Sequence, residues 1–415
     1  MTNTECIKEI LELLNRENEE FDGNIYSFSY FPKNHTEDGK IKFRPAYTIT
    51  GHETIKKYNE LYTNLYKNIV GNRKMTFKVF RDNTQNFIFE NRFTENELIK
   101  FVKDKKEYTT NEIYKIFGIE MSNDYIKYGK YTFVKKDYIN TYLKSITTLK
   151  QTKLNELELK LLANDSNKSD WNFAYIISQH KTIDNLYSTQ LMNEEIKTIV
   201  NVLRFMACIK WDRVYIDFIP FISYQKSHFQ FVDDWMTSGH NFIRKDRAIP
   251  IDNEWFGNED IGHKYLWDLL DFDMQKNEME ERVIKSIEWV GKAYGEDDEK
   301  VALLEIAFAF EALLIYNPKG IINQSIIASL SESYAFINGS NVDERIELEK
   351  EFKHFYEERS GLVHGLKNKL DEKKINPYKM ITMTIRNIIT SPIFSKCNNI
   401  ESLSKEIKRL KYTTI

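Results

Sequence analysis

Arg359 and His364 stand five residues apart in ERSGLVHG (358–365), a stretch that also holds Ser360 and two glycines and then runs on into lysines. These side-chain types suit work on a phosphate ester. An imidazole exchanges its proton near neutral pH, so His364 can act as general base or general acid. A guanidinium keeps its charge, and its planar fork can hold phosphate oxygens as negative charge collects on them. The spacing alone carries little, because R-x4-H arises by chance in a chain of this size, and without context the pair reads as an ion-pairing arginine and a helix-terminal histidine. On a straight helix of about 3.6 residues per turn, side chains five apart point about 140° away from each other. Either the helix ends near Gly361 or Gly365, or the pair meets across something else, such as a two-fold seam between two copies of the chain.

Other candidates are weaker. His240, Arg244, Lys245 and Arg247 in SGHNFIRKDR (238–247) suit a phosphate contact, but an ordinary basic loop is the better reading. Asp252, Glu254, Glu259 and Asp260 lack a clean ligand spacing, so neither a metal nor another cofactor is expected. The E-x-K triplet Glu195, Ile196 and Lys197 falls on an amphipathic helix and reads as a solvated face. Phosphate-binding glycine loops, G-x-G-x-x-G after a strand and G-x-S-x-G are all missing.

The elements that must position these residues divide the chain. At 415 residues it exceeds one ordinary core, and 41% hydrophobic with 29% charged residues describes a globular protein. A net charge of -3 gives no global sign of a nucleic-acid partner, so any such site must be local. Three scattered cysteines, Cys6, Cys208 and Cys397, argue against a disulfide framework and fit a reducing, cytoplasmic setting. The opening MTNTECIKEILELLNRENEEF reads as an amphipathic helix rather than a signal peptide. VALLEIAFAFEALLIY (301–316) is too short and too charged to span a membrane and reads as a buried helix.

Strands are expected over 24–31 and 40–49, a helix over 53–70, a hairpin over 74–93, and a helix capped by Thr94 with Glu97. A strand over 130–136 precedes helical patterns over 137–164 and 193–211. Strand candidates follow at 213–225 and 228–235, and 237–260 reads as a long loop or connector. From 276 every segment is helical, with turn signals NPKG and NGS and with Asn376 and Pro377 as a helix start. The expected fold is thus an α+β N-terminal region, as a module over 1–150 and a middle region over 151–275 that is continuous with it or separate. An all-α helical bundle over 276–415 follows.

That last third resembles the HEPN superfamily (higher eukaryotes and prokaryotes nucleotide-binding), most of all its Apea-like branch from bacterial antiphage and abortive-infection proteins. AFAFEALLIY (307–316) with Glu311, and ERSGLVHG, which is similar to that branch's RSxxVHG block, carry the resemblance in the right order and separation. It implies that Arg359 and His364 occupy the R-x4-6-H ribonuclease motif, at a site formed across a homodimer of the helical domain. The implied activity is metal-independent RNA cleavage, tRNA included, by 2'-hydroxyl attack, leaving a 2',3'-cyclic phosphate. It further suggests that Ser360 orients the histidine or the phosphate and that Glu311 holds Arg359. Lys367, Lys369, Lys373 and Lys374 would follow the RNA backbone, or else form a solvated surface. Leu366 stands where toxins silenced by a nucleotidyltransferase partner carry tyrosine, so the resemblance does not extend to that control. The alternative is an inactive HEPN module that binds RNA, nucleotide or a protein partner. No membrane partner is expected, and the N-terminal region is read as a sensor of a phage-derived trigger or a substrate-positioning module.

Overall fold

The structure is a computed structural model. It describes residues 1–16, 27–30, 47–50, 52–89, 92–146, 172–208, 216–217, 226–232, 235–241, 248–271, 274–296, 298–316, 326–364 and 376–413. The chain forms two compact units, one of Met1–Glu112 with Gln179–Asn193, the other of Ile113–Ser178 with Glu194–Ile415. The layout is mixed α+β in the N-terminal half and helical in the C-terminal part.

The first unit opens with α1 (Asn3–Glu12), the short strands β1 (Asn15–Arg16), β2 (Ser27–Tyr30) and β3 (Tyr47–Thr50), then α2 (His52–Val70), α3 (Phe77–Phe89) and α4 (Glu95–Asp104). Strand β3 lies between β1 and β2, antiparallel to both. The strands expected over 24–31 and 40–49 thus form at 27–30 and 47–50, and their other residues lie outside the described ones. The core centres on Tyr62, whose ring lies 5.3 to 6.4 Å from those of Tyr58, Phe77, Phe80 and Phe93. The hairpin expected over 74–93 is instead the helix α3. Phe80, Thr84 and Ile88 recur at the helical interval and are all buried, and the Thr76 hydroxyl caps the start by accepting the Val79 N–H at 3.2 Å. Buried Asp184 fixes that corner, accepting from the Thr76 N–H at 2.8 Å and its hydroxyl at 2.6 Å. Thr94 caps α4 through the Glu97 N–H, as its spacing predicts.

In the middle of the chain come β4 (Tyr108–Phe117), β5 (Ile119–Met121), β6 (Tyr125–Tyr128), β7 (Tyr131–Lys135), α5 (Ile139–Ile146), β8 (Phe173–Thr182) and α6 (Asn185–Cys208). Strands β4, β8 and α6 begin in one unit and continue in the other. Four strands make a sheet in the order β4-β8-β7-β6. One face of β7 sets Tyr131 and Phe133 against Phe256 and Trp267, while α5 covers part of the other through Ile139 and Leu143. Glu195 does not sit on a solvated face. It is 1% exposed, takes the Lys130 ammonium at 2.6 Å and the Tyr131 hydroxyl at 2.9 Å, and is thereby neutralised where isolated charge would be costly.

Strands β9 (Lys226–Val232) and β10 (Trp235–Asn241) form an antiparallel hairpin, and β11 (Ile249–Ile251) pairs in parallel with β5. The segment 237–260 therefore holds strand residues and the short helix α7 (Asn253–Gly257), followed by α8 (His263–Asp268). Among the described residues, six helices follow: α9 (Glu278–Gly295), α10 (Glu299–Leu314), α11 (Ile326–Asn338), α12 (Val342–Val363), α13 (Pro377–Thr390) and α14 (Ile400–Tyr412). Five of them start where side chains satisfy free N–H groups: Asn277 with Glu280 and Asn399 with Ser402 form capping boxes, while Asp298, Asn341 and Asn376 cap three others.

Helices α9 and α10 run antiparallel, tied by the Ser286 hydroxyl to the Ala309 carbonyl and by Arg282 to the Ala312 carbonyl, both at 3.0 Å. Close contact of α6 with α9 depends on glycine. A Cβ on Gly291 would lie 2.5 Å from the Asn201 Cα, and Arg204 reaches the Gly291 carbonyl at 3.1 Å and the Asp217 carboxylate at 2.7 Å. Among the described residues no helix is long and apolar enough to cross a membrane.

Candidate active site

Phe310 is the pivot of the helical bundle. Fully buried on α10, its ring lies 5.9 Å from Tyr334 of α11 and 4.9 and 5.6 Å from Phe352 and Phe355 of α12. The aromatic contacts lock α10 on α12 and turn the next residue, Glu311, toward the outer edge of their seam. There the Glu311 Oε1 accepts the Tyr356 hydroxyl at 2.6 Å and Arg359 Nη2 at 3.4 Å. Tyr356 and Arg359 are three apart and share a helix face, and the guanidinium carbon stands 5.3 Å from the Tyr356 ring centroid. Burial, with the Glu311 carboxylate beside it, pushes the Tyr356 hydroxyl up to about 12, so it stays a donor at physiological pH.

Arg359 and Glu311 are 22% and 23% exposed, enough for a ligand to reach them. Arg359 Nε is buried and has no hydrogen-bond partner among the described residues. An unsatisfied donor of this kind costs about 1–3 kcal/mol.

The helix does not break at Gly361. It runs through that buried residue to Val363, and His364 is its C-cap, with its N–H bonded to the Ser360 carbonyl at 3.1 Å. The His364 side chain is exposed, whereas Arg359 turns inward to Glu311. One chain therefore brings Glu311 to Arg359, and leaves His364 on a different side of the same helix. Ser360 is half-buried one turn before His364. Lys367, Lys369, Lys373 and Lys374 lie outside the described residues, as do Arg244, Lys245 and Arg247.

The weaker candidates find other partners. Asp252 caps α7 by accepting the Trp255 N–H at 2.8 Å, and Glu259 pairs with Lys264 at 2.5 Å, which holds its carboxyl below the usual range. Among the described residues no group of three or more His, Cys, Asp or Glu side chains is placed to hold a metal ion. Tyr356 is the member of the site that sequence reading passed over. Its position three before Arg359 was the available signal. Compared with known proteins, the chain matches no family model, no curated protein and no solved structure.

Proposed function

We propose that the chain is a metal-independent endoribonuclease of the HEPN type, working as a homodimer through its helical domain in bacterial antiphage defence. The observation that carries the reading is the end of α12, where an exposed imidazole follows a half-buried guanidinium with an unsatisfied donor. In the reaction the RNA 2'-oxygen attacks the adjacent phosphorus, the bond to the 5'-oxygen breaks, and the products carry a 2',3'-cyclic phosphate and a 5'-hydroxyl. One proton leaves the nucleophile and another reaches the leaving oxygen, so the step needs a base and an acid together. A single histidine cannot fill both roles at once. Two copies of α12 meeting at a two-fold axis supply two His364 side chains, and likewise two Arg359 guanidinium groups for the phosphate oxygens. Glu311 and Tyr356 hold each guanidinium at a set height, and Ser360 is available to orient the scissile phosphate.

A second reading rests on the same Glu311 contact. A guanidinium already partnered by a carboxylate suits a module that binds RNA, nucleotide or protein without cutting. Incubation of the purified protein with total RNA in EDTA separates the two. Cuts with cyclic-phosphate ends that vanish in His364→Ala and Arg359→Ala support the nuclease. Cutting that persists unchanged in both variants refutes it, and binding without cutting selects the silent module.

A further inference from the structure

Far along the chain from Arg359, in the same unit, Tyr138 and Tyr142 pack half-buried against a core cluster, and a third tyrosine, Tyr125, lies against them with an exposure the fold does not require. Tyr125 stands on the edge strand β6 and is 48% exposed. Its ring lies 6.2 Å from that of Tyr138 at 14°, and 5.4 Å from that of Tyr142 at 45°. The Tyr142 hydroxyl donates to Thr132 Oγ1 at 3.2 Å, and Thr132 is the register partner of Lys127. Partners across a pair and alternate residues along a strand share a face, so Lys127 stands beside Tyr125. Just after β7, Lys136 places its ammonium 4.8 Å from the Phe173 ring centroid, and Lys115 reaches the same ring at 5.1 Å.

We propose that this cluster is a platform for single-stranded RNA, with a base stacked on the free face of Tyr125 and the flanking phosphates drawn to Lys127 and Lys136. The proposal rests on the nuclease reading above and gives the middle of the chain the task of holding substrate. Local charge favours this occupant. Residues 124–146 carry five lysines against two aspartates, Asp124 and Asp137, in a chain whose net charge is -3. Lys130 is taken up by Glu195, which leaves the rest for a polyanion. Guarding an edge strand needs only a charge such as Lys127 and gives no reason for an exposed ring beside it. Aromatic rings beside lysines are what an unpaired strand binds, since every base offers a π face and every linkage a charge. A duplex hides its base faces and gains only the electrostatic part.

The test uses the full chain carrying His364→Ala, in EDTA, with fluorescently labelled oligouridylate, oligothymidylate and a short RNA duplex, read by anisotropy over a salt series. Tyr125→Ala is expected to weaken oligouridylate binding about tenfold and Tyr125→Phe to stay within about twofold. Lys127→Gln with Lys136→Gln is expected to flatten the slope of log affinity against log salt by about 1.4, the share of two phosphates on a single strand. Circular dichroism and melting of the variants should match the parent, because the exposed ring contributes little to the core. Oligouridylate affinity of Tyr125→Ala within twofold of the parent, or absence of binding by the parent, would overturn the platform. So would tenfold tighter binding of the duplex or of oligothymidylate. The two readings fail separately. Cutting by the wild type alongside unchanged Tyr125→Ala binding removes the platform and keeps the nuclease, while Tyr125-dependent binding without cutting does the reverse.

Discussion

Arg359 and Glu311 are held near the surface by an aromatic seam, and each keeps part of its polar end accessible. Glu305, two turns earlier on α10, is buried differently. Burial raises its carboxyl, the Glu296 charge adds to this, and Lys292 of α9 and Arg204 of α6 oppose it. One of its oxygens is buried and has no hydrogen-bond partner among the described residues. A carboxyl raised in the folded state keeps its proton after the unfolded chain has lost it. The folded protein thus has its full stability below the ordinary value of 4.5 and loses some as pH rises through the raised one. Glu305→Gln removes that loss. Its melting temperature should exceed the parent's near neutral pH, and the gap should close at about pH 4, in parallel scanning calorimetry.

At the scale of elements, the helical third was the most legible part. Helices expected from 276 onward appear, and five of them start at caps, Asn277, Asp298, Asn341, Asn376 and Asn399, that act locally through the first turn they precede. The middle was legible only in part. β8 reads FAYIISQHKT, apolar on both sides because both faces of that strand are covered, so it lacks the alternation that marks a half-exposed strand. β4, β5 and β6 were missed with it. The hairpin expected over 74–93 failed for the opposite reason: its phenylalanines permit either period, and packing around Tyr62 selects the helical one. Of the candidate residues the sequence singles out, the structure brings Arg359 and Glu311 together and leaves His364 apart, and the Tyr356 bond and the inward turn of Arg359 depend on packing between helices distant in sequence. That packing runs through Phe310. Phe310→Ala should cost about 3–5 kcal/mol in urea unfolding, and should loosen Glu311 and Arg359 together.

For the whole molecule, the proposed nuclease predicts a mixing result that no single chain could give. If each cut needs both His364 groups of a pair, a tenfold excess of His364→Ala protein draws nearly every wild-type chain into a mixed, inactive dimer. Cleavage per wild-type chain should then fall about tenfold after subunit exchange, by mass action alone. Unchanged cleavage would show that one chain suffices. The same preparation in light scattering should give twice the mass of the 49.4 kDa chain.

The crossing of α6 over α9 sets different limits on two neighbouring glycines. At position 291 an added methyl meets the Asn201 backbone, which no substitution at 201 can remove, whereas at 295 it meets the tip of Arg204, a side chain that can shift at the cost of its bond to the Gly291 carbonyl. In a saturation library selected for folded protein, position 291 should therefore return glycine alone, and position 295 should return alanine and serine as well. Two glycines on one helix would then show one codon closed to change and the other, a single turn away, still open to drift.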